Sequence, residues 1–167
     1  MCVPIRVPVA TFRPGKSQRR CWRKNQDLVI SIGRPEMTDE KVDLYRRYIA
    51  GWHGRTEDPS TDDLRQFLYE SPVDTAEFTY SDPAGRLLAV GICDVCDRSL
   101  SSVYFYFDPD HARRGLGTFG ALAEIAHARG QSIPHYYLGY WVAGCGAMEY
   151  KTQFRPYELL GHDGVWR

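Results

Sequence analysis

With 167 residues, 43% hydrophobic and 13% aromatic, the chain has enough apolar surface for one domain with a buried core, which excludes a disordered protein. No apolar run approaches the ~18 residues of a membrane-spanning helix, and Met1-Cys2-Val3-Pro4-Ile5-Arg6 lacks a signal-peptide core, so the expectation is a cytoplasmic protein whose five cysteines are reduced thiols. The formal net charge of zero hides an asymmetry: residues 1–24 hold seven Lys/Arg and no Asp or Glu, and the remainder holds 14 basic and 21 acidic residues, which suits either a localised polyanion site or a solvated basic arm that binds nothing.

Residues 5–12 alternate apolar and other side chains around Pro8, as an edge strand or extended arm does. Arg13, Lys16 and Arg20 then share one face if the basic stretch is helical. Trp22 lies among these cations and reads more readily as a core anchor than as a platform for an unpaired base. Residues 27–32 are a β-branched strand broken by Gly33-Arg34-Pro35. Thr38 can cap a helix over residues 39–52, with Val42, Tyr45, Ile49 and Trp52 as its buried stripe and Gly51 and Gly54 at its end. A surface loop is expected over residues 55–61, then a short helix carrying Leu64, Phe67 and Leu68, closed by Pro72.

Residues 75–80 and 86–92 read as a hairpin about Ser81-Asp82-Pro83-Ala84-Gly85. An interruption or bulge over 93–100 precedes a strand at 101–107. A glycine loop at 108–117, a helix to about 129 and an aromatic strand at 135–142 follow. Gly144-Cys145-Gly146 reads as flexible, and Pro156 as the start of a last short helix. The stretch 87–142 organises the rest, because a glycine loop between a strand and a helix start offers free backbone N–H groups to an anion.

Cys93-Asp94-Val95-Cys96 is a lone C-x-x-C pair and cannot complete a tetrahedral zinc site; Cys2, Cys21 and Cys145 are scattered, so no metal is expected. The five histidines form no metalloprotease or triad-like pattern, and no G-x-S-x-G is present. Tyr104, Tyr106, Tyr136, Tyr137, Tyr140 and Tyr150 are either packing residues or, as alternate members of strands beside the loop, hydroxyls aimed into one cleft.

Ala112-Arg113-Arg114-Gly115-Leu116-Gly117-Thr118 resembles the Arg/Gln-x-x-Gly-x-Gly/Ala loop of GCN5-related acyltransferases, with Ala112 at the position of the Arg or Gln. A wider resemblance is to the aminoacyl-tRNA–protein transferases, which comprise eukaryotic arginyltransferases and bacterial aspartate/glutamate leucyltransferases. Its segments include Val3-Pro4-Ile5-Arg6-Val7, Ser17-Gln18-Arg19-Arg20, Leu44-Tyr45-Arg46-Arg47-Tyr48 and Ser101-Ser102-Val103-Tyr104. They continue through Tyr106-Phe107-Asp108-Pro109, Leu116-Gly117-Thr118, Tyr136-Tyr137-Leu138-Gly139-Tyr140 and Met148-Glu149-Tyr150-Lys151 to Phe154-Arg155-Pro156. Met1-Cys2 is similar to the end of the family's N-terminal cysteine-containing region, most of which is then expected to be absent.

The resemblance implies a single GCN5-related acyltransferase-like α/β domain, with a mixed, mostly antiparallel sheet and helices on both faces. Residues 1–24 would form a basic arm and residues 25–167 the catalytic part. The implied reaction moves Leu or Arg from aminoacyl-tRNA to the N-terminal amine of proteins beginning with Asp or Glu, with no cofactor and no membrane partner. Tyr106, Tyr140 and Tyr150 are then the candidate catalytic groups, and Lys151, Arg155, Arg46 and Ser101 the substrate-binding ones. Arg13, Lys16, Arg19, Arg20, Arg23, Lys24, Arg113, Arg114, Gly115 and Gly117 are the candidate tRNA contacts. An acetyl-CoA-dependent N-acetyltransferase and an inactive tRNA- or peptide-binding remnant remain the alternatives.

Overall fold

The computed structural model describes residues 2–54 and 60–167; Met1 and residues 55–59, most of the expected surface loop, lie outside the described residues. The strands are β1 (Cys2–Pro8), β2 (Val29–Gly33), β3 (Thr75–Ser81), β4 (Leu87–Cys96), β5 (Ser99–Phe107), β6 (His135–Val142) and β7 (Glu158–Leu159). They form one sheet in the order β2-β3-β4-β5-β6-β1-β7. Every pairing is antiparallel except β5–β6, because the link between those two strands is a helical crossover and not a hairpin.

The helices are α1 (Lys16–Lys24), α2 (Asp39–His53), α3 (Thr61–Leu64), α4 (Leu116–Gly130) and α5 (Gly146–Glu149). Helix α2 covers one face: the Tyr45 ring lies 5.8 Å from Tyr104 and 5.4 Å from Tyr106. Helix α4 covers the other, with Phe119 5.9 Å from Tyr80. Leu116, Phe119, Leu122, Ala123, Ile125 and Ala128 of α4 are all buried. Such all-round burial requires a second cover, and α1 supplies it through Trp22, 5.2 Å from Phe119. Trp22 is thus the core anchor the sequence suggested. The mixed sheet with helices on both faces matches the sequence expectation.

Several local expectations are corrected. Strand β1 is neither an edge nor a free arm: it pairs with β6 along its length and with β7 at Ile5 and Arg6. Val42, Tyr45 and Ile49 are buried, but Trp52, in the last turn of α2, is 55% exposed while its ring lies 5.1 Å from that of Phe107. Of the interruption or bulge expected over residues 93–100, the interruption does not occur: β4 runs on to Cys96, and its register with β5 shifts between Ile92 and Cys93. No helix follows Pro156. The last helical turn, Tyr150–Gln153, precedes it and β7 follows. Gly144-Cys145-Gly146 leads directly into α5.

Candidate active site

Two irregularities of the sheet open the site. Strands β5 and β6 pair only from Ser99↔His135 to Ser101↔Tyr137. In β5 the rungs Ile92↔Tyr104 and Cys93↔Ser102 leave Val103 unpaired. A one-residue bulge reverses the faces of the side chains beyond it. Ser102 therefore shares the α4 side with Phe105 and Phe107, while Tyr104 and Tyr106 turn to α2. The cleft so formed has a volume of about 470 Å³. Ser102, Phe105, Phe107, Tyr136 and Leu138 line it from the sheet, and residues 115–118, Ala121 and Glu124 from the α4 side. Tyr48, Trp52 and Tyr150 complete the walls.

The glycine loop enters this cleft in a conformation that α1 holds. Gly115 has φ 70, in the left-handed region that favours glycine, and ends the 3₁₀ turn Pro109–Arg114. The first bond of α4 runs from Phe119 N–H to Gly115 O at 3.0 Å, so the N–H groups of Leu116, Gly117 and Thr118 have no intrahelical acceptor at the positive end of the helix. Buried Asn25 donates to Arg114 O at 2.9 Å and accepts from Arg114 Nε at 2.9 Å. Lys24 Nζ donates to Arg113 O at 2.5 Å. Arg114 also pairs with Asp27 and holds its carboxyl below the usual range. At the other end of the loop Arg47 donates to the buried Asp108 carboxylate at 2.9 Å.

A carboxylate that the sequence reading missed lies deepest. Glu124 is fully buried, and its Oε2 accepts from the Tyr136 hydroxyl at 2.5 Å. Its Oε1 has no hydrogen-bond partner and rests so close to Gly91 that a Cβ there would meet it at 2.5 Å. Burial raises the Glu124 pKa to about 7, with the Tyr136 hydroxyl, the Cys93 thiol and the Ser102 hydroxyl pulling the other way. Burial likewise pushes the Tyr136 phenol well up, so Tyr136 stays neutral and donates. One signal was available in the sequence: a lone Glu inside Leu-Gly-Thr-Phe-Gly-Ala-Leu-Ala-Glu-Ile-Ala has no polar face to sit on.

Of the residues singled out from the sequence, Gly115, Gly117 and Tyr150 line the cleft. Tyr106 does not. It is fully buried on the opposite face, and its hydroxyl lies 3.1 Å from that of Tyr69. Ser101 takes part in the β5–β6 rungs, and its neighbour Ser102 reaches the cleft instead. Arg46 lies by Met37, Thr38 and Asp43, away from it. Tyr140 is exposed, and its carbonyl accepts from Lys151 Nζ at 2.8 Å; burial lowers the Lys151 pKa. Arg155 is exposed, with Nε 3.4 Å from Thr152 O. Arg13, Lys16, Arg19, Arg20 and Arg23 are exposed on or beside α1, whereas Arg114 and Lys24 brace the loop. Arg113 is exposed. No cluster of three or more His, Cys, Asp or Glu able to hold a metal occurs among the described residues. Tyr106→Phe is expected to leave catalytic rates within about threefold of wild type and to lower unfolding free energy by about 1 kcal/mol, the net worth of one hydrogen bond. Steady-state kinetics with denaturant titration check both parts.

Residues 40–161 match the family model described as the arginine-tRNA-protein transferase C terminus. Curated relatives include an aspartate/glutamate leucyltransferase of Pseudomonas putida, 45% identical over 95% of this chain and 68% of its own length. Another, from Stenotrophomonas maltophilia, is 42% identical over 98% of this chain and 67% of its own. Among solved structures, L-PGS from Bacillus licheniformis superposes with a TM-score of 0.64 at 14% identity, over 86% of this chain and 46% of that one. FemX does so with a TM-score of 0.56 at 10% identity, over 83% of this chain and 52% of that one. These two likenesses speak to the fold alone. The family match over most of the chain and the curated relatives along nearly all of it show that the chain belongs to the aminoacyl-tRNA–protein transferase family.

Proposed function

We propose that this protein transfers leucine from leucyl-tRNA to the N-terminal amine of proteins that begin with Asp or Glu, in the cytoplasm. The observation that carries this reading is the joining of a cation-rich helix to the glycine loop of the cleft, through Asn25 and Lys24. A polyanion lying along α1 would deliver its end to the open N–H groups at the start of α4, which suit a phosphate. The names of the curated relatives supply leucine as the donated residue and acidic residues as the acceptor.

The chemistry asks for little acid–base help. The aminoacyl ester is already activated, and a free α-amine with a pKa of about 7.7–8.0 is partly neutral near physiological pH. Attack on the ester carbonyl forms the C–N bond and expels the ribose hydroxyl, so the main demands are positioning and oxyanion stabilisation. Tyr150 is 43% exposed at the cleft wall, and a phenol, with an ordinary pKa of about 10, is protonated at neutral pH and able to donate to the departing ribose oxygen. Lys151, whose Nζ donates to the Tyr140 carbonyl, is with Arg155 the candidate partner for the acceptor's carboxylate. The product's bulky first residue fits an N-terminal degradation signal.

The test is transfer of radiolabelled amino acid from leucyl- and arginyl-tRNA, in parallel, to peptides starting with Asp, Glu or Ala. Leucine on the Asp and Glu peptides alone is the expected result. Arginine transfer would correct the donor, and no transfer from either tRNA would overturn the proposal.

A further inference from the structure

Glu124 is the only charged side chain lining the cleft among the described residues. Its Oε2 accepts from Tyr136, whereas buried Oε1 has no partner of good hydrogen-bond geometry and only the Cys93 thiol and the Ser102 hydroxyl near the carboxylate. A desolvated carboxylate with an idle oxygen is costly unless a ligand completes it. The groups that face it are Tyr80 from β3, Cys93 from β4, Ser102 from β5, Tyr136 from β6 and Tyr150. None of them is cationic. The protein thus builds half of an ion pair and leaves out the other half. The absence of a side chain at Gly91 makes room for the carboxylate itself, since a Cβ there would meet Oε1 at 2.5 Å.

The geometry points to Glu124 as the acceptor for the α-ammonium of the donor's aminoacyl group, with Phe105, Leu116, Ala121 and Leu138 enclosing that residue's side chain. This inference rests on the proposed function and deepens it. An aminoacyl ester of an apolar amino acid carries one cation directly beside a hydrocarbon side chain. The cleft offers one anion within largely apolar walls, the complementary arrangement. The acceptor's amine is a poorer match, because it must be neutral to attack and a buried carboxylate would hold it protonated. Burial holds the carboxyl's pKa up at about 7, and an ammonium beside it draws it into its charged form. The same contact excludes acyl groups that lack an amine, so it selects an aminoacyl ester over an acetyl or fatty acyl donor.

The test compares tRNA charged with leucine against tRNA charged with leucine's α-hydroxy acid counterpart, which keeps the side chain and loses the ammonium. Wild type is expected to prefer the leucyl donor by roughly 10- to 100-fold in kcat/KM, the worth of a hydrogen bond to a charged group. Glu124→Gln should bring the two donors within about threefold, with the loss falling on the leucyl donor. That ratio is taken within each protein, so it does not depend on the folded fraction. A second readout uses wild type only: leucinamide should raise Tm, and the deaminated amide of the same skeleton should not. Unchanged discrimination in Glu124→Gln, no preference in wild type, or equal Tm shifts from the two amides would overturn the assignment and leave leucyl transfer standing. Absence of leucyl transfer by wild type would instead overturn the proposed function, and this inference with it.

Discussion

Lys41→Met is expected to lower the stability of the fold by about 3–5 kcal/mol at neutral pH, the usual result of stranding one member of a buried ion pair. Lys41 Nζ sits 2.5 Å from Glu77 Oε1, and the two side chains are 11% and 5% exposed. Lys41 also donates to Glu36 O at 2.7 Å, while Glu77 Oε2 has no partner of good hydrogen-bond geometry. The pair fastens the first turn of α2 to β3, and the same helix carries Tyr48 and Trp52 to the cleft wall and Arg47 to Asp108. For a chain of this size each kcal/mol is worth about 2–4 °C in Tm, so a fall of roughly 6–20 °C is predicted. The pH dependence has a definite sign. Burial raises the Glu77 pKa even with Lys41 present, and removing Lys41 takes away the group that lowers it. An acid whose folded pKa lies above its unfolded value favours folding at acidic pH and loses that contribution as pH rises through the folded pKa. The deficit of the variant should therefore be small near pH 4 and full at pH 7–8. Lys41→Met/Glu77→Gln should recover much of it. Thermal unfolding at both pH values checks this; a variant with unchanged Tm at neutral pH would show that the pair is not a buried tie.

The sheet, the glycine loop and the basic stretch are legible because each is a local pattern. β-Branched and aromatic runs between turn residues mark β2 to β6, and two glycines two residues apart mark the start of α4. What a local pattern does not encode is which face a strand presents after a bulge. Tyr104 and Tyr106 have the parity of Ser102, and only the skipped Val103 sends them to α2 while Ser102 faces the cleft. For that reason Tyr106 is buried against Tyr69 and not in the cleft. Arg114 is a different case. Its sequence position beside two glycines suits an anion contact, but Asn25 and Asp27, nearly ninety residues earlier in the chain, occupy its guanidinium. Glu124 combines both difficulties, since its significance depends on α4 being covered on both sides and on the absence of a side chain at Gly91.

Replacing Lys16, Arg20 and Arg23 by glutamate is expected to weaken tRNA binding by at least about a hundredfold near physiological salt and to flatten its salt dependence. The three side chains are exposed. Arg19 is left in place because its guanidinium donates to Pro14 O at 2.6 Å and closes the start of α1. Each phosphate neutralised by a cation contributes about −0.9 to the slope of log K against log salt for a duplex, so loss of three contacts should make the slope shallower by about 2–3. Steering by net charge alone must be separated from contact, since the substitutions also make the whole protein more acidic. Replacing Arg34, Arg65 and Arg98, likewise exposed but outside α1, by glutamate changes the net charge equally. If α1 tracks the tRNA backbone, this second triple should leave the slope within about 1 of wild type. Equal weakening by the two triples would mean that only the overall field is felt, and that α1 is a solvated basic helix whose contribution to the site is limited to holding the glycine loop.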